Sequence, residues 1–547
     1  MSSKLIWLIA ITLLALSPRS HADAEENREA LRVEVENLLQ YGRLSIGDLD
    51  IASGELLAEV YERRDYAPAW TDPDQMAELI TAIKATANDG LDPSDYHLDS
   101  VLFVQSALGD GRLDTPAEIA DADLVMTDSL IRLGYHQRFG KVNPYTLDSN
   151  WNFRRALNGM DPATAIQSAI DSDSLIDILQ TMFPRGWVYT QLRDGLARYR
   201  EIVAKGGWPQ IPDGPTLRPE ADDPRLAVLM QRLVISGDME DQQSYAAIDH
   251  YDEVLQAGVR HFQERHGLDA DGIIGPATLK ALNVSADQRV TQIEINLERA
   301  RWVLDDIEDD FVLVNIAGFR AYLIRDRNIA WETRVQVGTT YHQSPVFRDE
   351  MKYVVLNPTW TVPYSIASKE ILPAIKRDPD YFQKRDFDVK DRSGAIIDPA
   401  TVDWSSVTRR NFGYTLVQRP GPNNALGRVK FMFPNKHAVY LHDTPSKYLF
   451  GKAERAFSHG CIRVENPYEF AEQLLGPGWD QDKIAATLDN KETKTVMLPK
   501  PLPVLLMYWT AMVSQAGDVY FYNDVYERDQ KIVEALGEPF KIEIPDA

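Results

Sequence analysis

The sequence predicts an α+β multidomain chain. Three observations lead there. Helical periodicity dominates residues 25 to about 220, a compact helix–turn–helix pattern occupies 222–285, and short β-rich runs separated by turn residues begin at Phe311. With 547 residues and 44% hydrophobic content, the chain can fill roughly three or four packed cores.

The first residues read as an export segment. Lys4 precedes twelve mostly apolar residues, Leu5 to Leu16, and Ser20-His21-Ala22 puts small residues at minus three and minus one. The expectation is a signal peptide over 1–22, cut after Ala22, and a periplasmic mature protein. The apolar run is short for a bilayer span. The later run Val504 to Val513 is also short and is interrupted by Tyr508, Trp509 and Thr510. No second membrane segment is expected, so membrane contact is limited to the signal segment if it stays uncleaved.

Residues 23–221 read as a helical scaffold. Asp74–Asn88 runs into the helix stop Asp89-Gly90, and Ile119–Gly140 and Trp187–Lys205 carry apolar residues at helical spacing. No catalytic motif stands out there. In the 222–285 unit, Val259 and Phe262 share a helix face and Gly267 ends that helix. Asp271-Gly272 makes a turn, and Gly275-Pro276 opens the next helix. With Gln263, Leu268 and Thr278 these residues resemble the FQxxxGLxxDGxxGxxT pattern of small three-helix peptidoglycan-binding modules. Asp269 and Asp271 lack the ligand set of a calcium loop.

Residues 286–308 return to one amphipathic helix with Val290, Ile293, Leu297 and Ala300 in a stripe, expected to pack back on the N-terminal helices. From 309 to 530 the pattern is β-rich: FVLVNI, RAYLIRD, ETRVQVG, YVVLNPTW, GYTLVQ, RVKFMF and AVYLHD. PVLLMYWTAMV and DVYFYN flank Gln515-Ala516-Gly517 as a hairpin candidate. A polar insertion at 365–412 holds nine Lys/Arg and eight Asp/Glu, and reads as a cover over the site. A tail, 531–547, completes the chain.

Charge and cysteine content narrow the chemistry. Lys and Arg number 58 against 82 Asp and Glu, a net charge of −24, which disfavours nucleic acid and anionic lipid as partners. One cysteine excludes an internal disulfide, and a lone thiol in an oxidising compartment risks oxidation. Cys461 therefore asks for a reason to be there. A thiol attacks as thiolate and needs a base or a nearby positive charge. His442 lies near the end of AVYLHD, nineteen residues before the thiol, and His459 lies two residues before it. Asp443 offers an acceptor to fix the tautomer of His442. Gly460 permits a tight turn whose amides can face an oxyanion. Asn466-Pro467-Tyr468-Glu469 reads as a capped helix start, and Gly476 ends that helix. One cysteine and scattered histidines give no HExxH or paired CxxC, so neither a metal site nor a cofactor is expected.

His442, fifteen residues, then Ser458-His459-Gly460-Cys461, followed by Ile462-Arg463 and Asn466, resembles the signature of L,D-transpeptidases with a YkuD-type catalytic domain. The scaffold, the module, the cover and the tail PLPVLLMYWTAMV are similar to the large Gram-negative members of that family. The resemblance implies Cys461 as nucleophile, His442 as general base and Asp443 orienting it through its backbone carbonyl. It implies His459 and Gly460 in the oxyanion turn together with the Cys461 amide. Ser458 and Arg463 would hold the turn or meet a substrate carboxylate. Tyr440 and Trp360 are candidates for the pocket wall, with core packing the other reading for Trp360. The implied reaction joins two peptidoglycan stem peptides by a 3→3 diaminopimelate cross-link through a thioester, with carbapenems as inhibitors. Three alternatives stay open. They are a thiol peptidase on stem peptides, a transferase attaching a lipoprotein lysine to the wall, and a binding protein without catalysis.

Overall fold

The computed structural model describes residues 18–41, 44–148, 151–153, 157, 159–182, 184, 186–240, 249–304, 307–378 and 380–543. The export segment falls outside the described residues up to position 17, and a helix Pro18–Tyr41 follows. No helix among the described residues is long and apolar enough to cross a membrane. The chain forms an α+β structure of two compact units.

The first unit takes residues up to Val142, those from Arg154 to Arg185, and those from Leu536 on. Its centre is the helix Pro116–Phe139, buried on nearly every side and started by a Thr115/Glu118 capping box with Pro116 in the first turn. Because it is enclosed, its polar side chains need partners inside the fold. Asp128 accepts from Ser53 N–H at 3.0 Å and Ser53 Oγ at 2.6 Å, and it also meets Arg132 Nε at 2.6 Å and His97 Nε2 at 3.0 Å.

The second unit holds Asn143–Phe153 and Gly186–Ala535. The helix Ala286–Arg301 packs on Trp187–Ala204, with Arg200 to Glu294 at 2.7 Å and Arg301 to the Tyr189 hydroxyl at 3.0 Å. That partner helix belongs to the unit containing the β-rich domain. That helix is also the last of the 23–221 stretch. Between these helices lie Leu226–Ile235, Glu253–Arg265 and Pro276–Leu282 around one apolar cluster that includes Val259, Phe262 and Leu282. Gln263 pins the turn. Its amide nitrogen donates to Asp271 Oδ1, to the Ile273 carbonyl and to Thr278 Oγ1, and its oxygen accepts from Gly272 N–H at 2.8 Å. Gly272 sits at φ +75°, where a side chain is strained.

The β-rich runs form one sheet: β1 (Phe311–Asn315), β2 (Arg320–Arg325), β3 (Asn328–Gly338), β4 (Phe347–Leu356), β5 (Val429–Met432), β6 (Leu441–His442), β7 (Ala456–Ser458), β8 (Ile462–Val464) and β9 (Lys494–Met507). The neighbours run β7-β3-β8-β6-β5-β4-β9-β1-β2, and β2 pairs back onto β3. Eight strands thus close on themselves, which removes the free edges of an open sheet. PVLLM continues β9, and only Ala511–Val513 forms the hairpin with Val519–Phe521. Val504, Leu505 and Leu506 are fully buried between neighbouring strands, so that run stays in the main sheet.

The insertion is a subdomain with its own core. A four-stranded sheet takes Trp360–Thr361, Thr415–Gln418, Phe387–Lys390 and Ile396–Ile397 in that spatial order. Ile371, Leu372, Phe382, Val389 and Leu416 are buried beneath it. It spans more than 365–412, because strands from both flanking segments complete its sheet.

Candidate active site

Strand register places the site. β6 runs parallel to β8 with Leu441 opposite Ile462 and His442 opposite Arg463. β8 pairs β3 with Arg463 opposite Gln336, and β5 pairs β6 with Lys430 opposite His442. Paired residues share a sheet face, so Gln336, Arg463, His442 and Lys430 form one row across four strands. The alternate residues Leu441, Ile462, Phe431 and Val335 are fully buried on the opposite side. Phe431 meets Phe470 of the helix Pro467–Leu475 there, with ring centroids 4.7 Å apart. The apolar face anchors the strands and leaves the other face for chemistry.

One step toward the strand starts, the Ile462 N–H donates to the Tyr440 carbonyl at 3.1 Å. That bond sets Tyr440 and Cys461 side by side on the polar face. His442 lies diagonal to Cys461 on the same face, and the Cys461 thiol itself turns toward the Ala438 carbonyl at 3.8 Å. His442 is buried, and its Nδ1 lies 2.5 Å from the Asp443 carbonyl oxygen. A carbonyl only accepts, so Nδ1 carries the proton and Nε2 keeps its lone pair. Burial lowers His442 from its ordinary value to about 3, aided by the Arg463 and Lys430 charges and opposed by the Asp443 and Leu426 carbonyls. Burial pushes the Cys461 thiol up, against the pull of Tyr440, Lys430 and Arg463. At neutral pH the pair rests as thiol and neutral imidazole.

The Asp443 carboxylate braces the loop. It accepts from Arg428 N–H at 2.8 Å and Thr444 N–H at 2.7 Å, and Lys447 Nζ stands 2.6 Å away. A Cβ on Gly427, at φ +61°, would lie 2.3 Å from that carboxyl carbon, so only glycine fits there.

The turn carrying the thiol is fixed from within. Ser458 Oγ donates to the Cys461 carbonyl at 2.5 Å and accepts from Gly460 N–H at 3.0 Å. The Gly460 amide is therefore committed inside the turn. Ser344 Oγ donates to the Gly460 carbonyl at 2.8 Å. The Tyr526 hydroxyl ties the same region together, donating to the Gly338 carbonyl at 2.6 Å and accepting from Ser344 N–H at 3.2 Å. A cavity of about 270 Å³, lined by Gln343, Tyr508, Tyr526 and Arg528 among others, includes none of the row residues or Cys461.

Other predicted residues fall around this centre. His459 Nε2 meets Glu370 Oε1 of the insertion at 2.8 Å, so the insertion touches the turn that carries Cys461. Arg463 NH1 donates to Gln336 Oε1 at 3.1 Å. The Tyr440 ring lies 5.6 Å from the His442 ring. Trp360 belongs to the insertion's sheet, with its ring 6.4 Å from Phe387. Asn466 makes no side-chain capping bond. The helix start rests on Pro467, because the backbone at Asn466, φ −109° and ψ 65°, turns away from a capping geometry.

Sequence reasoning missed Lys430, Gln336, Ser344 and Glu370. Lys430 left a signal, since a cation in the alternating run RVKFMF has to sit on the face opposite its apolar neighbours.

Comparison with known proteins assigns a catalytic domain to the part of the chain that holds this sheet and turn. Residues 309–496 match the L,D-transpeptidase catalytic domain (YkuD), residues 225–282 match a family described as "Putative peptidoglycan binding domain", and residues 55–196 match a scaffold domain. A curated relative from Haemophilus influenzae, described as "Putative L,D-transpeptidase", is 26% identical over 541 residues, covering 97% of this chain and 90% of the relative. Two solved structures are similar at low overlap. The L,D-transpeptidase from Xylanimonas cellulosilytica is 15% identical, covering 54% of this chain and 100% of its own, at a TM-score of 0.18. The one from Stackebrandtia nassauensis is 13% identical, covering 53% and 94%, at 0.21. The chain thus carries an L,D-transpeptidase catalytic domain of the YkuD type at residues 309–496, with scaffold and peptidoglycan-binding domains beside it.

Proposed function

We propose that the chain is a periplasmic enzyme that forms 3→3 cross-links between peptidoglycan stem peptides through a Cys461 thioester. The observation that carries this reading is a neutral imidazole, its Nδ1–H held by the Asp443 carbonyl, on the strand beside the chain's one thiol. His442 Nε2 takes the Cys461 proton as sulfur attacks the carbonyl between diaminopimelate and the terminal D-Ala of a tetrapeptide stem. The C–N bond breaks, and the His442 proton leaves with the D-Ala amine. The side-chain amine of a second stem then attacks the thioester, the C–S bond breaks, and His442 relays the amine proton back to sulfur.

Amides of the 459–461 turn receive the negative charge. With the Gly460 N–H engaged by Ser458, the His459 and Cys461 amides are the better placed donors. The insertion shields the thioester from water, a role supported by the Glu370–His459 contact. Carbapenems would acylate the same sulfur.

The test is muropeptide analysis after incubating purified protein with tetrapeptide-bearing wall fragments. Cross-linked dimers and free D-Ala are expected from the wild type, and neither from Cys461→Ala. Free tripeptide without dimers would point instead to a peptidase, and dimers from Cys461→Ala would end the reading.

A further inference from the structure

Two cations flank the imidazole with no acid to balance them among the described residues. Lys430 and Arg463 stand on either side of His442 in the row, each directly opposite it in register. Among the described residues neither has a carboxylate within ion-pair distance. Lys430 Nζ sits 3.8 Å over the Tyr440 ring. Arg463 uses NH1 on the neutral Gln336, and its buried Nε has no hydrogen-bond partner. Both charges act on the Cys461 sulfur, so they stand close to the reacting atom. Unbalanced half-buried cations oppose folding and oppose an imidazolium between them, unless an anion arrives with the substrate.

We propose that Lys430, together with Arg463, recognises the free carboxylate of the donor peptide and thereby positions its scissile carbonyl at Cys461. This deepens the transpeptidase reading and rests on it. The donor is then a peptide whose carboxyl terminus is one residue beyond the attacked bond. A carboxylate at the row also offsets the two charges that oppose proton transfer to His442. Lys430 acts as a positioning and specificity residue, and forms no bond to the carbon under attack.

The chain's one thiol gives a direct assay on the full-length protein. Alkylation of Cys461 is timed by intact-mass spectrometry with iodoacetate and with iodoacetamide, which present a carboxylate or a neutral amide to the same sulfur. Their rate ratio is divided by that for free cysteine. The wild type should exceed the free-thiol ratio by roughly ten- to a hundredfold, the size of one charge-assisted hydrogen bond. Lys430→Met should bring the ratio toward one, and Lys430→Arg should keep most of it. In parallel, D-Ala release from a tetrapeptide should exceed D-alaninamide release from its terminal amide, and Lys430→Met should shrink that preference. A wild-type ratio equal to that of free cysteine, or one unchanged in Lys430→Met, overturns the proposal. Absence of any Cys461-dependent peptide turnover overturns the transpeptidase reading instead, and the alkylation ratio still judges the cations separately.

Discussion

Two charged clusters in this protein are built on opposite plans. In the first unit, Asp128 is enclosed, and every charge near it is answered. Burial alone would raise its pKa, yet His97, Arg132 and Ser53 hold it below the ordinary value. In the catalytic sheet, Lys430 and Arg463 flank a neutral His442 with no acid in reach among the described residues. Burial lowers all three. A paired buried network is structural, because removing a member strands the rest. An unpaired one costs stability and is poised for an incoming charge. The difference separates a scaffold from a site without reference to motif.

The comparison breaks most readily at Asp128. Asp128→Ala should cost about 3–5 kcal/mol by denaturant unfolding of the first unit, since it leaves Arg132 buried and unpaired. Lys430→Met should change stability by no more than about 1 kcal/mol, because the lost ring contact is offset by relief of repulsion. A Lys430→Met penalty as large as that of Asp128→Ala would erase the distinction.

A pH series sharpens it. The folded state holds His442 at about 3, and the unfolded chain takes up that proton near 6.5. Between those values the unfolded state binds more protons, so stability falls as pH falls, by up to about 1.4 kcal/mol per pH unit from this group. His442→Gln should flatten that slope in unfolding measured from pH 7 to pH 4. An unchanged slope would mean the ring is not held neutral by the fold.

Smaller effects follow at the turns. Gln263→Ala removes four hydrogen bonds around the Asp271-Gly272 turn and should cost about 1–3 kcal/mol, read as lost hydrogen-exchange protection in residues 253–282. The smallest belongs to Glu370→Gln. Its pair with His459 is exposed and worth at most about 1 kcal/mol. The ratio of hydrolysed to cross-linked product should rise by no more than about fivefold. No change at all would remove the contact from the covering role.

Much of the fold was legible along the chain. The strands from Phe311 onward, the helices Pro116–Phe139 and Trp187–Ala204 and the three-helix module follow from periodicity and turn residues, which act locally. The helix after the thiol shows the limit of a local reading. Pro467 starts it and Gly476 ends it, but the Asn466 side chain makes no cap. The insertion's sheet shows another limit of a local reading. Its core draws Trp360–Thr361 and Thr415–Gln418 from segments that read as parts of the larger sheet.

By itself the sequence determined which groups could do chemistry. One thiol in 547 residues, a glycine before it and a histidine at a strand end single out Cys461 and His442 as candidates, because those side chains have few alternative uses in that pattern. Only the tertiary structure decided their state. Strand pairing between residues as distant as Gln336 and Arg463 set the row, and burial made the imidazole neutral. The same pairing set Lys430 beside it. Register and desolvation depend on what lies across the sheet, and neighbours in sequence carry no record of that.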